Sequence, residues 1–225
     1  MAVLFGLGTK EPAYRGPDAR LVAAVRAIRA EVAPSRLRAL VESLPGPRNR
    51  LHAPGAMAEA DELITEAWRA AGWSVERQEL DLHGAWGVRD RPSDDRPGKR
   101  GTRYARLRGA NLIATKAGRE TDAIVLVAHH DTVANSPGAD DNGAAIAILI
   151  EAARLLASRQ MRRTVVLAAT DFEEIGLIGS RELVRWLQAR HRVLGAIVFD
   201  PIGYMDPRPG TQRVPPGIGL LYPAQ

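Results

Sequence analysis

The stretch Ala123-Ile124-Val125-Leu126-Val127-Ala128-His129-His130-Asp131 decides how this chain is read. An unbroken apolar run of this length fits a strand covered on both faces, as in a parallel sheet. The polar triplet falls where that strand ends. The same grammar recurs twice further on. Thr164–Ala169 is apolar and is followed by Glu173-Glu174, and Gly195–Phe199 is followed by Asp200. Between the first two runs lies Gly138-Ala139-Asp140-Asp141-Asn142. In open α/β sheets ligands bind beyond the carboxyl ends of the strands. The pattern therefore gathers His129, Glu173, Glu174 and Asp200 at one rim, with Asp141 returning to it from the start of the next helix.

Helical stretches separate these runs. Asn142–Ala157 is apolar on most sides and reads as a buried helix, while Leu177–Arg190 reads as an amphipathic one. Alternating strands and helices predict an α/β fold, a three-layer α/β/α sandwich on a mixed, mostly parallel sheet. Upstream, the spacing predicts helices over 18–32, 35–44 and 57–71, the last closed by Gly72. Ser74–Leu80 alternates and predicts a strand. Residues 84–103 read as an exposed loop, and Asn111–Lys116 as a short strand in a hairpin with 123–128. Residues 201–225 are rich in Pro and Gly and read as loop. The expected division is a helical segment over 1–45 and a main domain over 46–225.

Composition narrows the function classes. The chain has 225 residues, a formal net charge of +5 and no cysteine, which removes disulfides and thiolate metal ligands. No apolar run approaches the ~18 residues of a membrane span. The apolar start, Met1 to Gly8, has no basic leader and soon meets Lys10, Glu11 and Pro12, unlike a signal peptide. This favours the cytoplasm without deciding the location. The basic stretch Arg96–Arg108 has one aromatic residue and no helical stripe, so it reads as a solvated loop rather than a nucleic-acid surface. Neither a nucleic acid nor a membrane is expected as a partner.

The acidic clusters point to a cation, because buried carboxylates are costly unless a positive charge compensates them. Capping of the next helix could explain Asp140 and Asp141, but not His129 or Glu173-Glu174. In an extended chain, residues i and i+2 point the same way, so Asp131 can accept a hydrogen bond from the His129 ring and orient it. His130 then faces away and reads as a packed or hydrogen-bonded residue, with a substrate contact as the alternative. His191 falls at the opposite rim and reads as a helix-end residue. His52 and His83 lie in loops and are assigned nothing.

Four ordered blocks carry a resemblance: Ala128-His129-His130-Asp131-Thr132, Pro137–Gly143, Phe172-Glu173-Glu174-Ile175-Gly176-Leu177-Ile178-Gly179-Ser180, and Phe199-Asp200-Pro201-Ile202-Gly203-Tyr204. Gly46-Pro47-Arg48 and Asn111-Leu112-Ile113-Ala114 add a weaker match. Together they resemble the di-zinc exopeptidases, which include bacterial leucine-type aminopeptidases and glutamate carboxypeptidases. The resemblance implies that His129, Asp141 and Asp200 hold one zinc, that Asp141 bridges to a second, and that Glu174 holds that second ion. It implies Glu173 as the general base acting on the metal-bound water, and Asp131 as an orienting carboxylate. Two such ions, ~3.5–4 Å apart, would clamp a peptide carbonyl.

The family's late histidine ligand has no counterpart here, so one site reads as complete and the other as incomplete, with the C-terminal part of the domain expected to be missing. The implied activity is that of a zinc exopeptidase, an aminopeptidase, acting on peptides. The alternatives are a single-zinc, glutaminyl-cyclase-like enzyme and an inactive or truncated interaction domain. Self-association through an exposed sheet edge is expected of a truncated domain.

Overall fold

A computed structural model describes residues 16, 18–90 and 101–208. The chain divides into two compact units, Glu31–Gly203 and Met1–Ala30 with Tyr204–Gln225. In the smaller unit the described helix is α1, Ala19–Ala30. The larger unit contains α2 (Pro34–Ser43), α3 (Pro54–Ala70), β1 (Ser74–Val88), β2 (Gly101–Lys116), β3 (Glu120–His129), α4 (Ala145–Leu156), β4 (Arg163–Thr170), α5 (Ile178–Gln188) and β5 (Val193–Val198).

The strands form one sheet in the order β1-β2-β4-β3-β5. β3 pairs in parallel with both β4 and β5, whereas β2 pairs antiparallel with β1 and β4. Four strands thus run one way and β2 alone runs the other. Strict alternation along β4 supplies both cores. Val165, Leu167 and Ala169 face a cluster with Ile64 and Trp68 of α3 and Ile146 and Leu149 of α4. Val166 and Ala168 face Leu183, Trp186 and Leu187 of α5. The sheet therefore lies between two helical layers, as the sequence pattern predicts.

Local chemistry sets the helix ends. Pro34 opens α2 and Pro54 opens α3, positions where a missing N–H costs nothing. Gly72, at φ +78°, turns the chain out of α3 towards β1.

Three expectations are corrected. Residues 84–103 are not simply a loop, because β1 and β2 form a long ribbon paired from Ser74↔Thr115 to Val88↔Gly101. Apolar contacts along its outer part are few, at Leu80, Leu82, Ala85, Tyr104 and Leu107, with Gly, Arg and Asp between them, so no continuous apolar alternation marks it in the sequence. Arg103, Arg106 and Arg108 of the basic stretch are consequently exposed strand residues. Residues 111–116 and 123–128 do not form a hairpin. The β3–α4–β4 crossover makes β3 and β4 parallel neighbours, and β4 lies between β2 and β3. The third apolar run is not enclosed: Ile197 and Val198 of β5 are 52% and 66% exposed. Among the described residues no strand pairs with the outer edge of β5. The readings of 1–15, 91–100 and 209–225 lie outside the described residues.

Candidate metal centre

The three parallel strands β3, β4 and β5 end at the same rim. His129 is the last residue of β3, Glu173 and Glu174 follow β4, and Asp200 follows β5. Asp141 arrives from a wide helical turn over Ala139–Ala144. There Asp141 (φ −106°, ψ 94°) and Asn142 (φ −129°, ψ 38°) leave the helical region, and the Asp141–Asn142 peptide is cis. Asn142 Nδ2 donates to Phe199 O at 2.8 Å. Asp140 Oδ1 accepts Gly203 N–H at 2.6 Å. The Asp141 turn is thereby tied to the chain on both sides of Asp200.

His129 is the hub. Its Nε2 lies 2.9 Å from Asp141 Oδ1 and 3.6 Å from Asp200 Oδ1. Its Nδ1 lies 3.0 Å from the main-chain oxygen of Asp131 and 3.6 Å from Asp131 Oδ1, so the carbonyl makes the shorter contact. The Asp131 carboxylate accepts the backbone N–H of Glu173 at 3.1 Å and of Glu174 at 3.2 Å. Asp131 thus fixes the glutamate loop as well as facing the histidine. Two sets of donor atoms each lie within 4.8 Å of one another: His129 with Asp141 and Asp200, and His129 with Glu173 and Glu174.

Electrostatics show what this arrangement is suited to hold. Burial, followed by the charges of Asp141 and Asp131, pushes Glu174 up to about 8. Burial and the carboxylates of Asp131, Asp200 and Asp141 also raise Glu173. Burial opposes a charge on His129, but Asp131 and Asp141 outweigh it and bring the ring to about 11. The hydrogen bond from His129 lowers Asp141. Crowded carboxylates around one buried imidazole form a donor set suited to a divalent cation, which would replace these protons. The nitrogen and oxygen donors fit zinc.

Several supporting residues escape a pattern-based reading. Arg48 is buried, and its guanidinium donates to His130 O (2.8 Å), Pro45 O (3.1 Å), Pro137 O (3.0 Å) and Gly138 O (2.8 Å). Burial lowers its pKa to about 10. Gly138, at φ +64°, is required there, since a Cβ would sit 2.1 Å from Thr132 Cγ2. Asp90 accepts Asn49 Nδ2 at 2.7 Å and Ala134 N–H at 3.1 Å, holding the loop after Asp131. Arg48 and Gly138 lay in quoted motifs, whereas Asn49 and Asp90 did not. His130 points away from the rim, towards Thr170 and Asp61. His191 follows α5 at the opposite rim and lies against Trp186.

The matching sequence family is peptidase family M28, over residues 111–218. A probable zinc metalloprotease of Pyricularia oryzae is 31% identical over 206 residues, covering 83% of this chain and 38% of that protein. The chain spans about two fifths of the length of the first sequence relatives it matches. An aminopeptidase from Aneurinibacillus sp. strain AM-1 shares the fold at a TM-score of 0.63 and 15% identity, over 80% of this chain and 73% of that one. A glutaminyl cyclase from Porphyromonas gingivalis does so at 0.58 and 22%, over 75% and 58%. The matched residues contain the whole rim, from His129 to Asp200. No helix among the described residues is long and apolar enough to cross a membrane.

Proposed function

We propose that this chain carries a zinc-dependent exopeptidase, of aminopeptidase type, acting on peptides. The observation that carries the proposal is the convergence of His129 with two separate carboxylate sets at one strand rim. His129, Asp141 and Asp200 would hold one zinc, and Glu174 with Asp141 the second. Bound zinc supplies Lewis-acid polarisation of the scissile carbonyl and acidifies water.

The remaining chemistry belongs to the chain. Glu173, its pKa raised by burial and neighbouring charge, is suited to accept a proton from the attacking water and return it to the leaving amine. Such a base contributes ~10²–10⁴-fold. Asp131 holds Glu173 and Glu174 by their backbone N–H groups and faces the His129 ring. It thereby keeps the proton carrier and the ligands in register. An apolar groove of 440 Å³, lined by Val127, Leu177, Leu183, Val184 and Val198, opens beside His129, Glu173 and Asp200.

The test is to load the chain with zinc, measure metal per chain, and follow aminoacyl-anilide and peptide hydrolysis from each end. Release of N-terminal residues supports the proposal. Cyclisation of N-terminal glutamine with loss of ammonia would transfer the site to the glutaminyl-cyclase reaction. Zinc binding without turnover of either substrate would leave a metal-binding interaction domain.

A further inference from the structure

Behind the rim lies a buried polar cluster that the proposed mechanism does not use. Asp61 sits on the inner face of α3, 5% exposed, among Met57, Ala60, Ile64 and Trp68. Its Oδ1 lies 3.0 Å from His130 Nε2. Its carboxylate also accepts Arg50 Nη2 at 2.7 and 2.9 Å and Arg77 Nη1 at 2.7 Å. The other ring nitrogen of His130 lies 2.8 Å from Thr170 O, the carbonyl that also accepts His130 N–H at 2.9 Å. Arg50 Nε donates to Asp171 Oδ2 at 2.6 Å. Asp171 in turn accepts Ala110 N–H at 3.1 Å and Phe172 N–H at 2.9 Å. It fits there because residue 109 is glycine, where a Cβ would lie 2.3 Å from Asp171 Oδ2.

The connectivity is specific. His130 is bonded to the residue that ends β4 and adjoins His129, the hub of the rim. Asp171 begins the short connection from β4 to Glu173 and Glu174. A displacement of Asp61 would be transmitted along both arms, one through His130 to His129, the other through Arg50 and Asp171 to the glutamates. We infer that Asp61 and Arg50 are positioning residues of the metal centre, fixing from α3 and the 48–52 loop the distance between His129 and the Glu173–Glu174 pair. This rests on the proposed metal site. Residues that orient ligands in this manner typically change metal affinity or activity by ~10–100-fold when altered, although they touch neither metal nor substrate.

The experiment compares the full 225-residue chain with Asp61→Asn and with Glu151→Gln. Glu151 is an equally buried carboxylate paired with Arg36 and Arg154, away from the rim. Thermal melting, zinc affinity by chelator competition, kcat and KM are measured where all three are folded. Both variants should lose thermal stability. Asp61→Asn alone should weaken zinc binding and lower kcat, each by ~10–100-fold, with KM nearly unchanged. Adding His130→Gln to Asp61→Asn should cost little more, because the two act through one contact. Wild-type zinc affinity and kcat in Asp61→Asn, or equal losses in Glu151→Gln, would overturn the inference. If Asp61→Asn does not fold, His130→Gln alone removes the same link while keeping the four charges, and the same two readouts decide. A parent chain that binds no zinc would instead refute the metal site itself.

Discussion

Replacing Arg48 by methionine should loosen the metal centre without touching a ligand. Methionine matches much of the side-chain volume but removes the guanidinium. The donors lost are those to the carbonyls of His130, Pro45, Pro137 and Gly138. A hydrogen bond to a charged group contributes ~1.5–3 kcal/mol, so these bonds sum to ~6–12 kcal/mol gross. Part of this is offset, because burial already works against the charge. The fall from 12.5 to about 10 corresponds to ~3 kcal/mol. Water entering at the partly exposed Pro45 and Pro137 carbonyls recovers more. A net destabilisation of ~3–5 kcal/mol follows, in line with removal of one partner from a buried charged network. Urea unfolding measures it. Pro137 and Gly138 lead directly into the Asp141 turn, so zinc affinity, read by chelator competition, should fall in the same variant. A loss below ~1 kcal/mol with unchanged zinc affinity would show that the arginine does not hold the loop.

Three further outcomes are expected. Glu173→Gln should keep its zinc and lose ~10²–10⁴-fold in kcat, because an amide cannot accept the proton, whereas Asp141→Ala should lose zinc; metal analysis of both variants would expose a reversal. Burial favours neutral Glu151, yet Arg154 and Arg36 outweigh it and hold the carboxyl at about 2, below its unfolded value of 4.5. Because the folded pKa is depressed, the stabilisation is fully present above pH ~4.5 and is lost as pH falls towards ~2; screening at the half-exposed arginines limits it to ~1–2 kcal/mol. Urea midpoints between pH 6 and 3 should converge for wild type and Glu151→Gln. Leu167→Ala, in the fully buried centre of β4, should cost ~2–5 kcal/mol by denaturation.

The sequence made the rim readable because each polar cluster interrupts an apolar run at a strand end. His129, Glu173, Glu174 and Asp200 obey that rule, Asp141 comes from the turn that opens the next helix, and the structure brings them together. The central sheet was legible for the same reason. Periodicity was silent where apolar residues are sparse and interrupted by Gly, Arg and Asp, hence the unexpected length of the β1–β2 ribbon. It misled at β5, since an apolar run specifies a tendency to be covered and not the element that covers it. It also concealed Asp61 and Arg50. A charged residue on an amphipathic helix or in a loop reads as solvent-facing unless its partners are known, and these partners lie up to 121 positions away.

The placement of Asp200 has an energetic consequence. It follows the strand with the least enclosure, joined among the described residues only to β3, so the free energy needed to peel β5 away is lower than that for β3 or β4. A cation shared by His129 and Asp200 would be a rivet across the β3–β5 seam. Its binding free energy would appear chiefly as resistance to local opening of that seam and only weakly in the interior strands. Ion occupancy and order at this edge would therefore be one equilibrium: whatever strips the metal frees the strand, and whatever frees the strand releases the metal.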